Sequence, residues 1–94
     1  MQRDAFTAAL AHEGFAEPVT VMREAGTMDE HTHPFEAKAL ILAGELRIRI
    51  GADERLYQTG DVFHLQPGVL HAEQYGAEGV QYLVGRKQLA DNAG

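Results

Sequence analysis

The chain has 94 residues, the length of one domain, with 14 Asp+Glu against 8 Lys+Arg and a formal net charge of −6. Apolar residues make up 45% and charged residues 23%, a balance that excludes intrinsic disorder because a core can form. An acidic chain whose longest basic cluster is Arg86-Lys87 is a poor match for nucleic acid, and no apolar run approaches the ~20 residues of a membrane-spanning helix.

Cysteine is absent, which removes disulfides, thiolate ligands and thiol nucleophiles together. Residues 1–15 carry Arg3, Asp4, His12 and Glu13 and lack an apolar centre, so no secretory leader is expected and the cytoplasm is the expected location. A domain this small buries a limited core, so barrel closure or a second subunit would help to stabilise it.

The spacing predicts a helix over residues 2–13, with Phe6, Ala9 and Leu10 on one face and Gly14 as the stop. About three turns are too few for a helix to stand alone, so it must dock on something apolar. After Pro18 the texture becomes β. Val19 and Val21 alternate with Thr20 and Met22 until Gly26, and residues 26–30 read as a loop over a cavity. Residues 32–50 form β-compatible runs broken at Gly44-Glu45, ending in the clean alternation of Leu46, Ile48 and Ile50 with Arg47 and Arg49. Gly51-Ala52-Asp53-Glu54 is a turn, which makes 46–50 and 55–59 a hairpin. Residues 62–65, 69–75 and 80–84 are further short strands, separated by Gly60-Asp61 and Pro67-Gly68, and 88–94 form a frayed tail or short terminal helix. Seven or so short strands with one N-terminal helix mean an all-β sandwich or barrel over residues 18–86, and a small jelly-roll barrel leaves fewest edges exposed.

Three of the five histidines stand where chemistry is plausible. On a strand, His31 and His33 project from one face about 7 Å apart, close enough for two imidazoles to share an ion. His71 follows the Pro67-Gly68 turn, and an antiparallel partner strand would bring it opposite the pair. An H-x-H pair on its own equally describes a polar strand face. Three neutral imidazoles without cysteine suit a divalent transition metal (Zn, Fe, Ni, Mn or Cu) and leave positions open for water or substrate.

The frame around them is more specific. Gly26-x4-His31-x-His33-x10-Gly44, then Gly60-Asp61-x6-Gly68-x2-His71, resembles the two motifs of the cupin superfamily over about half the chain. The family's first motif is a glycine, H-x-H, a glutamate four or five residues on, and a glycine; its second is Gly-Asp, a proline, a glycine and a histidine. The resemblance implies a cupin jelly roll in which His31, His33 and His71 hold the metal. Three departures accompany it. The glutamate position falls on Ala37, Gln66 stands in place of the usual proline, and Tyr75 stands where asparagine is frequent. Glu36 is one residue off and, by strand parity, faces away from His31, His33, Phe35 and Ala37 unless a bulge after His33 turns it inward.

Glu73 shares a strand face with His71 and Tyr75. It can replace the missing carboxylate, act beside the metal as a general base, or simply meet solvent at the barrel mouth. Tyr75 can orient substrate or donate a proton, or serve as packing with a satisfied hydroxyl. His64, flanked by Phe63 and Leu65, is expected at the surface, as is His12; Asp61 caps its turn. Ala37, Ala39 and Ile41 continue the histidine face, and small side chains there leave room near the ion, with Phe35 as an apolar wall. On the opposite face Leu40 and Leu42 need cover, from the helix through Phe6 and Leu10 or from a second subunit. A homodimer is the expectation, as for many small cupins.

Three functions compete. The leading one is a metal-binding cupin whose ion activates a small molecule or O2. The second is a non-catalytic module that holds a small ligand without metal, and the third a dimerisation domain with a filled barrel. A fold hosts many chemistries, so resemblance speaks to the site better than to a reaction.

Overall fold

The computed structural model describes residues 1–88 and contains one helix and six strands: α1 (Arg3–His12), β1 (Val19–Arg23), β2 (Gly26–His31), β3 (Phe35–Ile50), β4 (Asp53–Gln58), β5 (Val62–Leu65) and β6 (His71–Gln88). Most of the expected tail, 89–94, lies outside the described residues, while Gln88 extends β6. No helix among the described residues is long and apolar enough to cross a membrane.

Two long strands organise everything. β3 and β6 run antiparallel along most of their length, from Phe35 opposite Gln88 to Arg49 opposite Ala72. The first half of β3 also pairs with β5 and its second half with β4, whereas β6 pairs with β2 early and β1 late. Two four-stranded sheets therefore share β3 and β6, and the core fills the space between them. This is a jelly roll.

The bend between the sheets explains why six strands replace the expected seven or so. Glu45 alone opposes residues 76–79, and a second register shift lies between Ile41 and Ala43. These irregularities invert parity. Ala37, Ala39 and Ile41 face the core before the bend, and Leu46 and Ile48 after it; Tyr75 precedes and Val80, Tyr82 and Val84 follow it on β6. Gly44 and Gly79 have φ of +76° and +78°, and a Cβ on Gly44 would lie 2.2 Å from the carbonyl oxygen of Gly79. No side chain fits at that crossing. Gly44-Glu45 and residues 76–79, read from sequence as breaks, are thus bends within continuous strands.

The helix covers the outer face of the sheet that contains β1 and β5. Phe6 and Leu10 are buried against Leu40 and Leu83, with Phe15 completing the cluster and Leu42 packed on its edge. Its end is a Schellman turn: Gly14 (φ +85°) donates its N–H to the Ala11 oxygen at 3.2 Å, and Phe15 donates to the Leu10 oxygen at 2.9 Å. The cover required by Leu40 is therefore supplied within the chain, and that face gives no argument for a second subunit.

Candidate metal centre

Residues 26–30 are not a loop. They form β2, paired with β6 so that Gly26 faces Tyr75 and Met28 faces Glu73. Met28 packs inward. Strict alternation would then turn Glu30 inward and His31 out, but a bulge between Met28 and His31 adds one residue and reverses the order. His31 lands directly opposite His71. The bulge that builds the site lies before the H-x-H pair, not after it. His33 itself is in the connection to β3, where its carbonyl oxygen accepts the Gly68 N–H at 2.9 Å, tying the pair to the Pro67-Gly68 turn.

The three imidazoles converge from distant parts of the chain. Each offers a ring nitrogen within 4.8 Å of the others. Ring centroids are 4.3 Å apart for His31 and His71, 4.9 Å for His33 and His71, and 5.5 Å for His31 and His33. His33 stacks on Phe35 at 4.5 Å, so the expected apolar wall also holds a ring in place.

Backbone carbonyls fix two tautomers. Nδ1 of His71 lies 2.9 Å from the Val69 oxygen and Nδ1 of His31 lies 2.8 Å from the Asp29 oxygen. A carbonyl only accepts, so each Nδ1 carries the proton and each neutral ring keeps its Nε2 lone pair for the cavity. Burial, reinforced by His71 and His31, holds the pKa of His33 below the ordinary histidine value, which favours the ligating form.

Glu73 joins this group. Its Oε2 is 3.3 Å from Nε2 of both His31 and His71, and its Oε1 accepts the Tyr75 hydroxyl at 3.1 Å. Burial first, then the Glu73 charge, pushes the Tyr75 pKa well above the ordinary tyrosine value. His71 is fully buried, and among the described residues its Nε2 has no hydrogen-bond partner despite the nearby carboxylate. Two lone pairs and a carboxylate oxygen thus face one another across a small gap. A proton can satisfy one such contact; a divalent cation satisfies all of them together. Ligands at about 2.1 Å from a tetrahedral ion stand about 3.4 Å apart, close to the 3.3 Å found here. The donor set fits a divalent transition metal.

The other candidates lie elsewhere. Glu36 faces outward and bonds to the exposed His64, so it is no substitute for the missing family carboxylate. His12 is exposed. Asp61 accepts the Gln58 N–H at 2.8 Å and closes its turn. Glu30, Arg47 and Arg49 belong to a loose exposed set of ion pairs, at 3.9 Å for Arg49–Glu30 and for Arg47–Glu54.

A family model for the cupin domain matches residues 19–83. The chain belongs to the cupin family. No curated protein matches this cupin in sequence. Among solved structures it resembles a cupin-2 domain protein of Shewanella frigidimarina (TM-score 0.65, 19% identity, covering 78% of this chain and 70% of that one). The cupin domain of Cnp3 from Schizosaccharomyces pombe gives a TM-score of 0.69 at 18% identity, covering 82% and 58%. The DMSP lyase DddQ of Ruegeria pomeroyi gives 0.64 at 25% identity, covering 80% and 38%. This cupin spans little more than half of the second structure and well under half of the third; the shared property is the jelly roll.

Two residues of the cavity carry no signal in the motifs. A space of about 200 Å³ beside the histidines is lined by Phe35, Ala37, Phe63, Leu65 and Tyr82, and also by Arg23 and Arg86. Both arginines could have been read from parity: Arg23 continues Val19 and Val21, and Arg86 continues Val80, Tyr82 and Val84. Ending the last strand at Val84 hid the second.

Proposed function

We propose that this cupin binds one divalent transition metal through His31, His33 and His71 and uses it to act on a small molecule or O2. The observation that carries the reading is the buried, partnerless Nε2 of His71, aimed at other electron-pair donors. Glu73 is the fourth donor through Oε2, replacing the carboxylate lost at Ala37, and Tyr75 holds its other oxygen. The bound ion would supply Lewis acidity or, if redox-active, electron exchange. The chain's own contribution is to fix two imidazole tautomers, to keep His33 neutral and to leave a small space beside the donors for a ligand. If Glu73 does not ligate the ion, the same carboxylate is placed beside it to take a proton from a ligand during turnover, with Tyr75 hydrogen-bonded to its other oxygen.

The partner in this reading is a small molecule rather than nucleic acid or membrane, and the cytoplasm is the proposed location. A homodimer would use the outer edge of β1, which is unpaired among the described residues and where Val19 and Met22 are exposed. Elemental analysis of the purified wild type and of His33→Ala tests the metal. About one ion per chain in the wild type and a clear loss in the variant is expected. No metal in wild type supplied with zinc, iron, nickel, manganese and copper in turn would favour a metal-free ligand-binding module instead.

A further inference from the structure

The cavity beside the histidines is electrically unusual for this chain. The protein as a whole is acidic, with a formal charge of −6. On the outer faces Arg47, Arg49 and Lys38 each stand beside a glutamate. Arg23 and Arg86 differ. They enter the cavity from the core-facing side of β1 and β6, and among the described residues neither forms an ion pair. Arg86 is half-buried, with its guanidinium 5.5 Å from the centre of the Phe35 ring, the same ring that stacks on His33. Arg23 lines the same cavity and is exposed.

Among the described residues Glu73 is the one acidic side chain lining this space, against two guanidiniums, so their sum is cationic before any metal is added. A half-buried guanidinium without a counter-charge is costly unless something anionic reaches it. The fork of donors on Arg86 matches a carboxylate, and its ring contact holds the fork in place. The remaining wall of Phe35, Phe63 and Leu65 is apolar. At about 200 Å³ the space is below the about 300–1,000 Å³ of drug-sized pockets, so the ligand is small.

We infer that the ligand of this cavity is a small organic carboxylate, anchored on Arg86, with the exposed Arg23 as a second cation. The inference deepens the metal-centre reading, because the anchor would set which ligand atoms face the histidines, but the charge argument holds with or without the ion. Arg86 and Arg23 are positioning residues, separate from the proposed donor set.

Propanoate and its uncharged isostere propanamide separate charge from shape. Titrated by calorimetry into the full chain, zinc-supplied and chelator-treated in parallel, propanoate should bind about tenfold more tightly than propanamide. Arg86→Gln should erase that preference without changing zinc content, and Arg23→Gln should reduce it. Equal affinities for the two probes, no binding of either, or a preference that survives both substitutions would overturn the inference. Failure of the metal reading shows separately, as absence of bound zinc, and leaves the metal-free titration to decide this one. Should Arg86→Gln not fold, the wild-type comparison and Arg23→Gln still decide between these outcomes.

Discussion

Two histidine–carboxylate encounters lie on opposite faces of the same sheets. Outside, His64 meets Glu36, with side chains 41% and 20% exposed. Inside, Glu73 meets both His31 and His71, and His71 is 0% exposed. The residue types are the same, yet the chemistry differs. At His64 no backbone carbonyl among the described residues claims the other ring nitrogen, and the ring is exposed. At His31 and His71 carbonyls have already taken the Nδ1 protons, so the cavity receives lone pairs only. Prior commitment of the outer ring nitrogen, more than proximity to a carboxylate, makes a histidine ready for a metal.

That contrast is most exposed to refutation by exchanging alanine for each histidine. His71→Ala should weaken zinc binding by about 100-fold or more, beyond the 10–100-fold typical of losing a supporting group, while His64→Ala should leave it unchanged. Competition against a chromogenic chelator measures both, and equal losses would erase the distinction between the faces. Next in size is Glu73→Gln, expected to lower zinc affinity by about 10–100-fold. Glu36→Gln should do nothing to zinc and change folding stability by no more than about 1 kcal/mol, as for surface pairs. If Glu73→Gln binds zinc normally, Glu73 is a base beside the ion and not a donor. Thermal unfolding provides a third comparison: at zinc 100-fold above its dissociation constant, wild type should gain about 2.7 kcal/mol over the chelated protein, and His71→Ala essentially none.

How much of this was legible beforehand follows a physical line. Local signals were readable: the Gly14 stop, the Gly51-Ala52 hairpin and the alternation at Leu46, Ile48 and Ile50 all encode structure within a few residues. The spacing of His31, His33 and His71 pointed to a shared ion because the family frame supplied the long-range pairing that alternation cannot. What stayed hidden depended on contacts between distant strands. The bulge after Met28 is set by pairing with β6, so residues 26–30 looked like a loop and the parity at His31 came out right only because the count began at the histidine itself. Gly44 resembled a break since its φ could be guessed but not its approach to Gly79. Glu73 was recoverable from strand parity. Arg86 was missed where the apolar pattern ran out, although its strand continued.

The smallest effect concerns Tyr75, and it tests whether the interior carboxylate needs its outer support. The hydroxyl donates to Oε1 of Glu73 from 3.1 Å, while Oε2 faces the histidines. Tyr75→Phe removes one hydrogen bond to a charged group while leaving the donors in place, so zinc affinity should fall by about tenfold, the low end for a supporting group and less than for Glu73→Gln. The alkaline limb gives an independent check. Burial raises the pKa of Tyr75, and also that of Tyr82, above the ordinary value near 10. Above that pH the unfolded chain releases these phenolic protons while the folded chain keeps them, so the folded state binds more protons and stability falls as pH rises. Tyr75→Phe removes one of the two contributions and should flatten the decline, whereas a substitution on the outer face, such as Glu36→Gln, should leave its slope intact. Denaturant midpoints of the chelated proteins at several pH values from about 9 upward, spanning the ordinary tyrosine pKa, would show it. An unchanged slope in Tyr75→Phe would mean that this hydroxyl reaches water, and that Glu73 is held by the strand alone.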